Sequence, residues 1–176
     1  MRWRGVLGVA AVVACTGCID PVDRRPGLRL SGDVVSEPVE DWSFTRAHRE
    51  IYIETSTPYL LPHSVTIVCA DADGELFIGA RNPVGKRWVD FVERDPEARL
   101  KIGDRVYEVR LRRVVEESEI ARVRAAYAEK LGRPMDAAAE GQDPPEIWYW
   151  SVESRPSAGA TGQARLGARA ARGSGA

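Results

Sequence analysis

The sequence predicts a mainly β domain, a small antiparallel barrel of about six strands flanked by one short and one longer helix. Short β-branched and aromatic runs alternate with turn signals, as strands of one sheet do. Apolar residues recur at helical spacing in only two places, over 88–92 and over 120–131. Because closing such a sheet removes its exposed strand edges, we expect a barrel.

The first half of the domain is predicted to be a strand followed by a hairpin. Glu50–Ser56 is rich in β-branched and aromatic residues, and Ser64–Ala70 is an apolar strand-like run. Asp71–Gly74 predicts a tight turn, because Asp and Gly tolerate the positive φ that a hairpin needs. Glu75–Ala80 is the return strand.

The second half alternates helices with strands. Trp88, Val89, Phe91 and Val92 fall at helical spacing, and Asp95-Pro96 ends that helix. Gly132 is a suitable C-cap for the longer helix. The predicted elements are the short helix 86–94, strands 98–102 and 105–115, the longer helix 116–131 and a closing strand 146–153.

The N-terminus predicts export and a lipid anchor. Arg2 and Arg4 precede the apolar run Gly5–Ala14, which is typical of a secretory signal and too short for a membrane-spanning helix. Val12-Val13-Ala14 before Cys15 resembles the bacterial lipobox, whose cysteine receives diacylglycerol, and Cys18 is the alternative acceptor. We therefore expect a lipoprotein signal peptide over 1–17, cleaved before Cys15 or Cys18.

Such a protein is anchored in the bacterial cell envelope, on its periplasmic or outer-surface face, because several acyl chains make attachment effectively permanent. The other interpretation is an ordinary secretory signal. Cys69, in an apolar run, is predicted to be a buried and unreactive thiol.

The charge is unevenly distributed along the chain. The 176 residues contain 25 basic and 26 acidic residues, but two arginines belong to the signal and four to the tail. Residues 18–154 therefore hold 19 basic and 26 acidic residues, a net charge of −7, which disfavours nucleic acid as a partner. Only two histidines occur, without the spacing of a metal site, so we expect no metal.

Composition divides the chain into four parts. The Pro- and Gly-containing segment 18–40 is predicted to be a flexible tether, and 41–153 is the barrel domain. The tail, 154–176, is low-complexity Ala, Gly, Arg and Ser, and is predicted to be a disordered basic segment.

Residues from about 46 to 153 resemble the split β-barrel flavin-binding superfamily, which includes pyridoxamine-phosphate-oxidase-like proteins and deazaflavin-dependent nitroreductases. The resemblance depends on the order of several local motifs. These are Gly74–Gly79, Lys86-Arg87-Trp88, Asp95–Gly103, Tyr107–Arg110 and Trp148-Tyr149-Trp150.

The resemblance implies a split barrel that binds FMN or a deazaflavin. It implies that Lys86 and Arg87, with Arg81 as a third candidate, contact the cofactor phosphate. Ser64 and Thr66 flank the strands that hold the isoalloxazine ring in this fold, and Trp88 either stacks on that ring or packs in the core. Oxidase-type loops carry Ser or Thr just before the Lys, whereas here Asn82–Gly85 offers no hydroxyl.

Two functions follow from these features. The first is a membrane-anchored flavin- or deazaflavin-dependent oxidoreductase acting on a small molecule, with a homodimer expected from the resemblance. The second is a cofactor-less binding or structural lipoprotein that keeps the barrel without catalysis. Export favours the second, because a soluble cofactor must be delivered or retained outside the cytoplasm.

Overall fold

The computed structural model describes residues 18–23 and 25–156. The predicted signal peptide, including Cys15, and residues 157–176 of the predicted tail lie outside the described residues. The elements are β1 (Asp33–Val34), a 3-10 helix (Ser43–Ala47), β2 (Glu50–Thr55), β3 (His63–Ala72), β4 (Glu75–Arg81), α1 (Arg87–Arg94), β5 (Glu97–Ile102), β6 (Arg105–Arg113), α2 (Glu117–Leu131) and β7 (Ile147–Ser154).

Six of the strands form a closed antiparallel barrel. Their order is β6-β5-β2-β3-β4-β7, and a further pairing of β6 with β7 closes the sheet. The two-residue strand β1 adds to β6 in parallel. The predicted barrel of about six strands with one short and one longer helix is confirmed, and the short 3-10 helix is an addition to it.

Local backbone geometry explains two of the element boundaries. Asp73 and Gly74 both have positive φ, 54° and 83°, as the predicted hairpin between β3 and β4 requires. Helix α2 ends at Gly132, whose φ of 69° gives the left-handed C-cap that glycine adopts without steric cost.

The hydrophobic core has two layers. Inside the barrel, the strands contribute buried side chains such as Ile53, Leu100 and Trp150. Outside it, α2 packs on the sheet through Val123 and Tyr127. The hydroxyl of Tyr127 donates to the carbonyl of Val68 at 2.8 Å, so the one polar atom of this buried ring is satisfied.

The segment 18–40, predicted to be a flexible tether, packs against the barrel in the structure. Gly27 exchanges two backbone hydrogen bonds with Ser64, at 2.9 and 3.1 Å. Leu30 is only 2% exposed, and its N–H donates to the carboxylate of Glu54 at 2.6 Å. The prediction and the structure differ because the partners of this segment are distant in sequence. Its local Pro and Gly composition therefore does not indicate that it packs.

The C-terminal boundary extends slightly past the predicted one. Ser154 is the last residue of β7, and the backbone N–H of Arg155 donates to the carbonyl of Glu108 at 2.9 Å. Arg155 also forms an ion pair with Glu97. Over the described ranges, the chain has no helix with the length and apolar character needed to cross a membrane.

Candidate functional site

A cavity of about 210 Å³ lies where β3, β4 and the start of α1 meet. Thr66 belongs to β3 and Arg81 is the last residue of β4, while Lys86 and Trp88 stand at the beginning of α1. The full lining is Glu50, Thr66, Ile67, Val68, Gly79, Ala80, Arg81, Lys86, Trp88 and Met135. Four of the six side chains that the sequence places at a cofactor site therefore meet here.

The cavity has an excess of positive charge. Its lining holds two cations, Arg81 and Lys86, against the single carboxylate of Glu50. Arg81 donates to the carbonyl of Ala137 at 3.2 Å. Neither cation forms an ion pair with any other described residue, so both are available to an anion.

The start of helix α1 adds backbone donors beside these cations. Lys86 is the N-cap of α1, with an extended backbone (φ −83°, ψ 114°). The first amides of a helix have no intrahelical acceptor, and the helix dipole places partial positive charge there. This arrangement of free amides next to a lysine is suited to a phosphate group.

The hydroxyl of Thr66 is the most informative polar atom of the cavity. Thr66 Oγ1 is buried and has no hydrogen-bond partner among the described residues. A buried hydroxyl without a partner costs about 1–3 kcal/mol, so it needs an explanation such as a bound ligand. Thr66 is the hydroxyl-bearing residue of the cavity lining.

Trp88 belongs to the wall of the cavity and to the core. It is 7% exposed, and its ring lies 5.4 Å from that of Trp150, centre to centre. Of the two predicted roles of Trp88, packing in the core is therefore the one that the structure shows. A ring in this position can still contact a ligand along its cavity-facing edge.

Met135, from the loop after α2, closes one side of the cavity. Its close approach to β4 depends on a glycine there. A Cβ added to Gly79 would lie 3.1 Å from Cε of Met135 and 3.2 Å from Cδ1 of Tyr149. These distances are tighter than ordinary carbon contacts, so Gly79 is what allows the methionine to approach β4. Sequence reasoning did not identify Met135, which lies in a segment with no periodic pattern.

Ser64 and Arg87 lie away from this cavity. Ser64 is fully buried beneath Gly27 of the N-terminal segment, and its Oγ has no partner among the described residues. Arg87 is exposed and does not line this cavity. Burial lowers the pKa of His63, and the positive charge of Arg87 lowers it further.

A second, larger cavity of about 400 Å³ lies on another side of the barrel, beside the ends of β2 and β5. Glu54 and Arg99 face each other across these strands, and their charged atoms are 3.0 Å apart. The same carboxylate accepts the N–H of Leu30. The Glu54 carboxylate thus links β5 to the N-terminal segment, while Arg99 Nε has no hydrogen-bond partner among the described residues.

Neither Glu54 nor Arg99 was predicted from the sequence to be a functional residue. A carboxylate at the end of an otherwise apolar strand was the available signal, since such groups are buried only when they are paired.

The lining of the first cavity contains no cysteine or histidine among the described residues. Cys69 is fully buried, and burial raises the pKa of its thiol, as expected for an unreactive cysteine. Within the described ranges, no group of three or more His, Cys, Asp or Glu side chains is placed to hold a metal ion.

Comparison with known proteins finds the fold in solved structures only. No family model matches this chain, and no curated protein sequence matches it. A conserved hypothetical protein of Mycobacterium tuberculosis is 20% identical, with a TM-score of 0.50 over 64% of this chain and 76% of that one. HutZ, the heme storage protein of Vibrio cholerae, is 16% identical, with a TM-score of 0.50 over 65% of this chain and 87% of its own.

An FAD-binding protein of Mesorhizobium loti aligns more loosely, with 9% identity and a TM-score of 0.43 over 62% of this chain and 82% of that one. At these identities, the likeness to the first two structures establishes the fold alone. The chain therefore has the split β-barrel fold of these two structures.

Proposed function

We propose that this chain is a lipid-anchored protein of the bacterial cell envelope whose barrel binds FMN or a deazaflavin and uses it to oxidise or reduce a small molecule. The observation that carries this proposal is that Thr66, whose buried hydroxyl has no partner among the described residues, lines one cavity with Arg81 and Lys86. A phosphate group satisfies all three side chains at once, because it accepts hydrogen bonds and carries negative charge.

The residues of the cavity fit the phosphate end of such a cofactor. Lys86 and Arg81 supply charge, Thr66 supplies a hydroxyl, and the first amides of α1 supply backbone donors. The flavin or deazaflavin itself supplies the hydride chemistry when it is bound. The chain's own contribution is to hold the phosphate and to place the apolar edge of Trp88 beside it.

The ring system does not fit in the same cavity. Small-molecule sites usually have volumes of roughly 300–1,000 Å³, and this one has about 210 Å³. The ring system must therefore lie outside this 210 Å³ cavity, called the phosphate cavity below, and pack against the adjoining outer surface or against a second copy of the chain. This is the reason to expect that a homodimer completes the site.

The anchor is proposed from the sequence before the described residues. The apolar run Gly5–Ala14 leads into the lipobox-like Val12–Cys15, and Cys18 is exposed at the start of the described chain. Replacing Cys15 and Cys18 by Ser, singly and together, tests this part. We expect release from the membrane fraction when the acylated cysteine is lost; membrane retention of the double variant would contradict lipidation.

A cofactor-less binding or structural lipoprotein is the second candidate. The small volume of the phosphate cavity favours it, because a cavity of this size takes a free phosphate or a small anion without any ring. Inorganic phosphate is the probe that separates the two candidates, because a cofactor-less protein should bind phosphate as tightly as it binds FMN.

Cofactor binding is tested by titrating the purified full-length chain with FMN and with a deazaflavin while recording absorbance and fluorescence. We expect micromolar binding of one of them. Lys86→Ala and Thr66→Val should each weaken it roughly tenfold, whereas Arg87→Ala, the adjacent cation outside the cavity, should have little effect. Absence of binding of both cofactors would reject the redox function, and equal losses in all three variants would reject the site.

A further inference from the structure

Three consecutive apolar side chains project from the loop between β2 and β3. Tyr59, Leu60 and Leu61 are 78%, 95% and 63% exposed. Single exposed apolar residues are common on protein surfaces, but a contiguous run of them marks an interaction site. This loop therefore requires a surface that covers it.

The loop holds these side chains outward in a defined conformation. Pro58 and Pro62 restrict its two ends. The hydroxyl of Thr57 donates to the carbonyl of Leu61 at 2.6 Å and accepts the N–H of Tyr59 at 3.3 Å. Leu60 has a φ of 62°, the left-handed region that a leucine rarely adopts. The apolar run is thus presented by the fold.

The beginning of the described chain lies at the same end of the barrel. Gly27 pairs with Ser64, two residues after the loop, and the carbonyl of Ile19 accepts the N–H of Leu28 at 2.7 Å. Arg29, which forms an isolated bridge with Cys18, lines the same 400 Å³ cavity as Leu60. The described chain therefore begins beside this loop.

Two further apolar side chains and two cations extend the surface. Ile19 and Val22 are 53% and 64% exposed. Arg29 borders the loop at the cavity, and the positive charge of Arg87 lowers the pKa of His63 at the loop's end, after burial, which is the larger cause. Arg29 shares its cavity with Glu54, Glu97 and Glu108, so the exposed apolar side chains, rather than the charges, are the part of this surface that matches the interface of a bilayer.

We propose that the loop 57–62, together with Ile19 and Val22, inserts into the interfacial layer of the membrane and fixes the orientation of the barrel on it. The occupant is a lipid surface because the two candidate acylation sites are Cys18, at the start of the described chain, and Cys15 just before it in sequence, so acylation at either would hold the membrane next to this end. This inference rests on the proposed membrane attachment. It adds a second, non-covalent contact that Tyr59, Leu60 and Leu61 supply.

Hydrogen–deuterium exchange of the full-length chain tests this contact. The chain is purified from whichever cell fraction contains it and compared with and without vesicles of phosphatidylcholine and phosphatidylglycerol. We expect the amides of 57–62 and 19–22 to exchange roughly fivefold more slowly on vesicles. The triple variant Tyr59→Asp/Leu60→Asp/Leu61→Asp should lose this protection, while Val84→Asp/Val115→Asp, which alters exposed valines elsewhere, should keep it.

The outcomes separate this inference from the anchor. The mass of the N-terminal peptide and the cell fraction report acylation, whereas exchange at 57–62 reports the loop in acylated and non-acylated chain alike. Unchanged exchange at 57–62 on vesicles would overturn the membrane contact even if the chain is acylated. Protection that appears without vesicles as protein concentration rises would also overturn it, because a second copy would then cover the loop.

Discussion

Lys101 Nζ lies 2.5 Å from Oδ2 of Asp20, across 81 positions of sequence, and this ion pair ties the N-terminal segment to strand β5. Ser31 joins the pair through its hydroxyl, which lies 2.9 Å from Nζ and 2.5 Å from the same carboxylate. Lys101 is only 9% exposed, so its charge depends on this partner. The segment that composition marks as a tether is therefore fastened to the barrel.

Asp20→Asn should destabilise the fold by about 1–2 kcal/mol at pH 7, because it leaves the largely buried Lys101 without its counter-ion. The free energy of unfolding from urea titrations measures this loss. Asp23→Asn, an exposed carboxylate of the same segment, is the matched control and should cost little.

The cost of Asp20→Asn should depend on pH. Burial alone would raise the pKa of Asp20, but hydrogen bonds from Lys101 and Ser31 outweigh it and lower the pKa below its ordinary value. A carboxylate with a lowered folded-state pKa stabilises the protein above its unfolded pKa of about 3.9. This stability is lost as pH falls through the folded-state value, so wild type and variant should converge in strong acid. A constant gap would contradict the ion pair.

Arg87→Ala should raise the pKa of His63. The pKa of His63 is lowered first by burial and then by the charge of Arg87, and only the second cause is removed by the variant. The imidazole is followed by NMR through a pH titration, with Lys86→Ala as the neighbouring control. An unchanged His63 pKa in Arg87→Ala would show that Arg87 does not lie beside the loop.

The lowered pKa of His63 also has a consequence for stability. Because the unfolded chain binds the proton more readily, wild-type stability should fall as pH drops from about 6.5 through the lower folded-state pKa. His63→Gln should remove this part of the pH dependence between pH 7 and pH 5. The same pH dependence of stability in wild type and His63→Gln would show that other titratable groups cause it.

Gly79→Ala should destabilise the barrel by about 1–3 kcal/mol, because the new methyl group meets Met135 and Tyr149 at 3.1–3.2 Å. Met135→Ala in the same chain removes one of the two contacts and should recover part of the loss. Thermal unfolding of the two single variants and the double variant gives their coupling. Strictly additive effects would mean that Met135 does not press against β4.

Much of the fold follows from local patterns. The turn at Asp73-Gly74 and the end of α2 at Gly132 are set by residues that tolerate positive φ, and both were predicted. The alternation along β6 likewise predicts a strand with one buried face. The packing of segment 18–40 was not predictable in this way, because Gly27–Ser64 and Asp20–Lys101 are contacts between distant positions.

The types of side chain at the candidate site could be predicted from the sequence, but their positions relative to one another only in part. Lys86 and Arg87 are adjacent in sequence, but Lys86 is the N-cap with an extended backbone and Arg87 is the first helical residue, so their side chains leave the chain in different directions and only Lys86 lines the cavity. Ser64 and Thr66 are two positions apart on β3, yet the N-terminal segment covers only Ser64. The contributions of Met135 and Gly79 depend on the loop after α2, whose path no local pattern indicates.

The central claim is that Lys86 and Thr66 hold the phosphate of a flavin-type cofactor. It is tested most directly by comparing the affinities of FMN and riboflavin, which differ only in the phosphate, for wild type, Lys86→Ala and Arg87→Ala. We predict that wild type and Arg87→Ala bind FMN at least roughly tenfold more tightly than riboflavin, and that Lys86→Ala abolishes this preference. An FMN preference that survives Lys86→Ala, or one that is absent from wild type, would contradict the claim.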